Sequence, residues 1–486
     1  MKPHHWVVFL LLWSAAAHAQ EIPVKSIPVA TGTQFLLFPS ENAALGGVNI
    51  ALRDVWHDAY SNPARGSSIK GAHVAVTPHF YKIGETIGSQ SSSARSLPLS
   101  IMLRRGSWFG TASLAWQEMS KRTAVSCCTF FNASFVTTRP PEASSLSIHN
   151  LYSYVMAGRV IPNTRMSVGV SVFSGWLNGL EGVQLLYAQN SGLEQEGRMT
   201  NIRLGVAQDW IDGRHAELVL SYHRFKMDHT LTEGFFSTEA WFLDTGIRLE
   251  QDQTHSWALR AGYEHPVGQG WRLGGRLVGD WKSHPKIPNY DLMQIPRDPG
   301  NSQAYNLGIG VARTIGRTTY GLDAVYEPIW SHTWANALED TPLADSDNVI
   351  PKGAMTVENF FRFQNGHVRM GLRQRGQRME IGAGLNLRLY SYRLKQENYV
   401  EQFKRTLDQS WSEWTFTSGT AYSFDTFTVR YLIIMTWGTG RPGLAQSRVR
   451  DAAAAFASNF VVAPAGPLDV ARARVWTHQI SLLLPL

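Results

Sequence analysis

His57, Asp58 and Ser61 fall close together in the chain, and their types are those of a hydrolytic set. Such triads are spatial constellations, and the flanking sequence supplies neither a nucleophile elbow nor an oxyanion-hole pattern. The three read instead as hydrogen-bonding groups inside a short folded segment. No H-E-x-x-H, Walker-type or dinucleotide fingerprint occurs, and the 16 histidines are scattered rather than clustered. Catalysis, a metal site and a cofactor are therefore not expected. The only cysteines, Cys127 and Cys128, are adjacent. Neighbours cannot build a disulfide framework, a zinc site lacks its spacing, and a vicinal disulfide would be strained. They read as two loop thiols.

A second set of chemistry-bearing residues is a series of arginines. A strand turns successive side chains to opposite faces. If Met379, Ile381, Ala383, Leu385, Leu387 and Leu389 face lipid, then Glu380, Asn386 and Arg388 face the other way. The same parity turns Arg203, Arg248, Arg260, Arg272, Arg276, Arg369 and Arg373 inward, with Glu217, Glu264, Asp280 and Asp323. A guanidinium fork matches a carboxylate or phosphate bidentately. Two readings stand: a lumen that receives an anionic headgroup, or Arg–carboxylate pairs that brace a barrel and hold a plug.

The elements that position these residues are strands of period two in segments of about ten residues, the pattern of a transmembrane barrel. Credible strands begin at Ala72–Tyr81 and continue through Ser107–Trp116, Asn150–Val160, Arg165–Trp176, Thr200–Trp210 and His215–Phe225. Further alternation runs through Trp257–Tyr263, Trp271–Leu277, Leu307–Val311, Tyr320–Tyr326, Met379–Leu389 and Phe427–Trp437, and the chain closes with Val475–Leu486. Several hairpins are tight, such as Ile211-Asp212-Gly213-Arg214. Glu118–Ser147, Leu177–Met199, Ser283–Gln303, Ile329–Ala354 and Thr439–Arg474 are long. A soluble sandwich or propeller also alternates, but no blade-length repeat is present. The predicted fold is all-β: a transmembrane antiparallel up-and-down β-barrel of between 14 and 18 strands. Val267-Gly268-Gln269 and Asn365-Gly366 are tight where a long outer connection falls due, so the count stays a range.

Residues 1–19 read as an export signal: a basic start, an apolar run over Trp6–Ala17 and an Ala17-His18-Ala19 cleavage site. That run is too short to span a bilayer. Residues 20–40 form an irregular lead with Pro23, Pro28 and Pro39, and the barrel occupies residues 72–486. Charged residues make up 17% of the chain, below the usual quarter or so; aromatic residues at 11% suit interfacial girdles. With a formal charge of +7, anionic lipid, lipopolysaccharide or an acidic ligand are the expected partners, since export argues against nucleic acid.

Between lead and barrel lies Ala44–Ala64, ALGGVNIALRDVWHDAYSNPA. Gly46 and Gly47 permit positive φ or close backbone approach, and Pro63 biases Asn62 towards a turn. Followed by a barrel, this stretch resembles the FadL-type superfamily, which includes long-chain fatty-acid transporters and PorV/PorQ-like barrels of type IX secretion. The resemblance rests on Ala44, Leu45, Gly46, Gly47, Ala51, Asp54, Ala59, Asn62, Pro63 and Ala64. It covers about 21 residues, with departures. The glycine run is short, His57-Asp58 replaces an acidic pair, Arg65 stands where Gly is typical, and the chain ends Leu484-Pro485-Leu486 rather than in an aromatic residue.

The resemblance implies about 14 strands and a hatch over residues 41–71 that folds into the lumen, with Gly46, Gly47, Asp54, Asn62, Pro63 and Ala64 as its structural residues. It also implies an outer-membrane protein of a diderm bacterium, passing a hydrophobic or amphipathic, fatty-acid-like small molecule without an energy source. The alternative it carries is a secretion adaptor whose partners are secretion-system proteins. Asp451–Gly466 is apolar for a barrel connection. As a short helix it would expose Phe456, Phe460, Val461 and Val462 to a greasy ligand or a partner; otherwise it folds onto neighbouring loops. Ile287–Pro296 mixes Pro and aromatic residues without decipherable chemistry.

Overall fold

Alternation dictates the wall. Leu97, Leu99, Ile101 and Leu103 are about half exposed, while Ser100 and Met102 between them, and Ser96 before them, are buried. The apolar set faces lipid and the mixed set faces the lumen. The computed structural model describes residues 22–26, 30, 32–85, 91–123, 144–180, 192–236, 243–284, 299–337, 340–343, 348–442 and 470–486. The export signal, Cys127, Cys128, Ile287–Pro296, Phe456, Phe460, Val461 and Val462 lie outside the described residues.

The first strand, β1, has two pieces, Ala72–Val76 and His79–Glu85, which pair with the same two neighbours on either side of Thr77-Pro78. Then come β2 (Ser91–Arg105), β3 (Trp108–Thr123), β4 (Ser144–Val160), β5 (Met166–Leu177) and β6 (Gly192–Asp209). β7 (His215–Phe236), β8 (Leu243–Gly268), β9 (Trp271–Ser283), β10 (Gly300–Ile315) and β11 (Thr318–Asn336) follow. The last five are β12 (Met355–Arg375), β13 (Met379–Asn398), β14 (Phe403–Ser423), β15 (Thr428–Pro442) and β16 (Val470–Pro485). Each pairs antiparallel with the next, and β16 returns to β1, where His73 lies opposite Pro485. The barrel is closed and has 16 strands.

Sixteen corrects the expectation of about 14, and the physical reason is visible in β2 and β14. Ser91–Ser96 is small and polar, and Phe403–Asp408 is charged, so neither shows the apolar alternation that marks a lipid-facing strand. Ladder bonds hold them in the sheet regardless. Asn365-Gly366 is not a turn but the middle of β12, where the Asn365 side chain accepts from Ser391 N at 3.4 Å. Connections on one rim are two to five residues long; on the other they run from four to 27. By that asymmetry the short-turn rim is periplasmic, and both barrel ends meet there, with Leu486 N donating to Ala72 O at 2.9 Å.

A tilted strand crosses the hydrocarbon in about ten residues, yet β7 and β8 have 22 and 26. They continue past the membrane on the long-connection side, where an outward apolar face is not needed. Substitution should report this boundary. Leu204→Arg, five residues from the periplasmic end of β6, should cost about 2–4 kcal/mol. Leu249→Arg, far up β8, should cost under about 0.5 kcal/mol, as at an ordinary surface. Denaturant titration of the barrel folded into vesicles distinguishes the two.

Candidate functional site

Residues 40–69 pack against the inward-facing side chains of the wall. Asp54 organises their first half. It caps helix α1 (Val55–Ser61), accepting from His57 N at 3.1 Å. It also accepts from Ser40 Oγ at 2.6 Å, Glu41 N at 2.8 Å and Asn42 N at 2.9 Å. One carboxylate thus ties a 14-residue excursion to the helix it starts. Asn62 repeats the device at the next turn. Its Oδ1 accepts from Ala64 N at 3.0 Å and its Nδ2 donates to Glu217 at 2.9 Å. Pro63 follows at a first-turn position, where a missing N–H costs nothing.

The segment sits against the wall at glycines. Gly169 and Gly205 stand opposite each other on β5 and β6, Gly274 and Gly310 on β9 and β10, and Gly321, Gly371 and Gly384 across β11, β12 and β13. A Cβ at any of them would come within 3 Å of the segment: of Asn62 and Pro63, of Ile50, or of Leu45, Gly46, Val48 and Leu52. Gly46 and Gly47 adopt φ of 70° and 77°, and Gly46 N donates to Thr417 Oγ1 at 2.8 Å. Ala64 and Asn62 are fully covered, and Pro63 is buried.

Charge completes the fit. Arg65 is the centre of a buried cluster. Its guanidinium pairs with Asp58, with Glu217 at 3.0 Å and with Glu264 at 2.7 Å. Arg65 Nε also donates to His215 Nε2 at 3.1 Å, leaving His215 Nδ1–H to donate to Asp209 at 2.9 Å. Burial works against the Arg65 charge, but Asp58, Glu217 and Glu264 outweigh it and raise its pKa further. Burial likewise pushes the Asp58 carboxyl up, opposed by the Arg65 charge.

Most of the inward arginines meet this segment. Arg203 donates to Tyr60 O at 2.7 Å and Arg260 to Ser61 O at 2.5 Å, covering carbonyls at the C-terminus of α1. Arg276 donates to Asn49 Oδ1 at 2.9 Å and Asn49 O at 2.8 Å, and Arg369 to Asn49 Oδ1 at 3.1 Å. Asp323 accepts from Asn49 N at 2.8 Å. Arg373 reaches Glu41 at 3.5 Å. Arg272 pairs with Glu264 at 3.1 Å, and Arg388 is half-buried beside Tyr390. Arg248 lies in β8, and its side chain is outside the described residues. Among the described residues no group of three or more His, Cys, Asp or Glu could hold a metal ion.

His57, Asp58 and Ser61 are not assembled for chemistry. Asp58 serves Arg65, Ser61 Oγ donates to Asp58 O at 3.1 Å, and His57 gives its backbone N–H to the Asp54 cap. Sequence reasoning passed over Glu41, Asn49, Arg53, His215 and the wall glycines. The signal for the glycines is present: Gly371 lies between Met370 and Leu372, and Gly205 between Leu204 and Val206. Small residues recur there on the parity that faces inward.

Above this polar belt the lumen also holds apolar clusters, set among the buried Asp280, Lys282, Glu327 and Asn359. Ile22 packs with Val278, Ile329, Phe361, Phe363, Tyr392 and Leu394, in the half nearer the long connections. Its backbone is held by buried charges, Ile22 N donating to Asp280 at 3.0 Å and Lys282 Nζ donating to Ile22 O. Tyr81, Ile83, Met119, Ile148 and Val475 form a second apolar group, around Ala30.

No family model matches the chain, and no curated protein does. Solved structures similar to it include the Pseudomonas putida toluene transporter TodX, at 10% identity and a TM-score of 0.43, covering 96% of this chain and 100% of that one. The Ralstonia pickettii toluene transporter TbuX is similar at 10% identity and a TM-score of 0.40, over 95% of this chain and 98% of that one. A Pseudomonas aeruginosa FadL homologue is similar at 10% identity and a TM-score of 0.42, over 94% and 100%.

Two substitutions test how the segment is held. Arg65→Leu leaves the buried Asp58 without its cation and takes one partner each from Glu217 and Glu264, and should cost about 3–5 kcal/mol. Arg65→Lys should rescue little, since one ammonium cannot serve three directions. Gly384→Val should displace Leu45–Gly46 and leave the ladder intact. Hydrogen exchange over residues 41–69 reads both, as accelerated exchange in that segment with the strand amides still protected.

Proposed function

We propose that this chain is a passive outer-membrane channel for hydrophobic or amphipathic small molecules, with residues 41–71 as its gate. The observation that carries the reading is the division of the lumen. Water-filled barrels have polar interiors. Here the outer half holds Phe361, Phe363, Tyr392, Ile329 and Leu394, packed around Ile22 beside the buried Asp280, Lys282 and Glu327, while the periplasmic half is occupied by a charged, glycine-seated segment. An apolar solute gains by leaving water for the first region, and a polar one is stopped by the second. The closed barrel with its apolar outer face belongs in an outer membrane.

We place the exit towards lipid at a pair of prolines in the wall. Pro78 and Pro98 lie on adjacent strands at neighbouring levels, so two ladder donors are missing within one patch. Outside it lies an apolar cavity of ≈ 360 Å³ lined by Phe80, Leu97, Trp116, Tyr431 and Ile480. A solute released there enters the bilayer without crossing the charged belt.

Proteoliposomes test the reading. The intact barrel should pass an alkylbenzene and a fatty acid while excluding a sugar-sized polar solute. Deleting residues 41–66 should admit the polar solute. Unchanged polar permeability after deletion would remove the gate, and failure to pass either apolar probe would remove the function.

A further inference from the structure

At the periplasmic rim a cavity of ≈ 280 Å³ opens between Ala51–Arg53 of the N-terminal segment and the Gly316-Arg317 turn. Five arginines line it: Arg53, Arg272, Arg317, Arg373 and Arg375. They come from the N-terminal segment, the start of β9, the β10–β11 turn and the end of β12, so only the closed barrel brings them together. The Thr314 and Thr319 hydroxyls, 3.2 Å apart, complete the lining, and no carboxylate contributes to it.

Four carboxylates outside the lining pair with these arginines: Glu380 meets Arg375 at 2.7 Å, Asp209 meets Arg53 at 3.3 Å, and Glu264 and Glu41 are shared. Glu264 serves Arg53 at 2.9 Å, Arg65 at 2.7 Å and Arg272 at 3.1 Å. Glu41 serves Arg373 at 3.5 Å, Arg375 at 3.2 Å and Arg430 at 3.0 Å. Arg317 is exposed and has no carboxylate partner among the described residues. Arg373 is 7% exposed, and its Nε has no hydrogen-bond partner among the described residues. A buried guanidinium donor without an acceptor, beside four more guanidinium groups and two hydroxyls, calls for an oxyanion.

We infer that this rim cavity is an anion site that takes a phosphate-bearing group. Several converging forks favour an anion with many oxygens and more than one charge over a lone carboxylate. Partial burial strengthens each contact relative to water. The same chemistry is carried by the headgroup of an anionic lipid in the periplasmic leaflet and by a soluble phosphate compound. The site is separate from the apolar route, so its failure would leave the transport reading untouched.

The full-length barrel, in nonionic detergent at low ionic strength, is titrated calorimetrically with pyrophosphate. In parallel it is ejected from phosphatidylcholine nanodiscs containing phosphatidylglycerol, and retained lipid is identified by native mass spectrometry. R317Q changes an exposed turn residue, R53Q serves as a second variant, and R393Q, at an exposed pair with Asp408 on β13, is the control. Pyrophosphate should bind wild type and R393Q alike and R317Q about tenfold more weakly, about 1.4 kcal/mol. Retention of phosphatidylglycerol by wild type, lost in R317Q and displaced by pyrophosphate, would assign the lipid as source. Pyrophosphate binding without lipid retention would assign a soluble phosphate compound. Binding of neither probe, or equal binding by R317Q, R53Q and R393Q, would overturn the site.

Discussion

Closure is the constraint from which the rest follows. Inside a bilayer every backbone N–H and C=O must find a partner within the protein, and the pairing of β16 with β1 removes the last free edge. Barrel diameter grows with strand number; eight strands enclose a space that side chains fill, and sixteen do not. A wall of 16 strands therefore encloses more room than its inward residues occupy. The chain's own N-terminal segment takes that room, and the wall is shaped to receive it.

Receiving a polar segment in a confined lumen sets the chemistry of the inner face. Backbone approaches closely only where no Cβ intervenes, so glycines collect at the contact levels, opposite one another on neighbouring strands. Carbonyls at the end of α1 and around Asn49 need donors, and arginines provide them from the wall. Carboxylates then offset the arginines. A buried charge left alone costs several kcal/mol, which is why Arg65 is met from three directions at once.

The two halves of the lumen differ in what they hold. Near the short turns, hydrogen bonds and ion pairs hold one conformation of the segment. Nearer the long connections, aromatic and aliphatic residues face inward, and the irregular lead crosses them with Ile22 and Leu37 buried. Prolines stand on two adjacent strands, Pro78 and Pro98, where the lipid face is itself concave and apolar.

The residue order by itself determined the wall. Period-two alternation through Met379–Leu389 or Phe427–Trp437 leaves no other element that could meet lipid on one face and a lumen on the other. It also fixed the parity of Arg203, Arg260, Arg276, Arg369 and Arg373, and marked Gly46, Gly47 and Asn62 as turn residues. Strand number was less legible, because the outer parts of β2 and β14, Ser91–Ser96 and Phe403–Asp408, are held by ladder bonds without an apolar side-chain pattern. The identity of each arginine's partner was not legible at all. Arg65 reads in sequence as a misfit after Asn-Pro-Ala, and only the fold brings Glu217 and Glu264, some 150 and 200 positions away, to within 3.0 Å of it. Tertiary structure decided the site because charges and glycines act at a distance set by barrel closure, not by spacing along the chain.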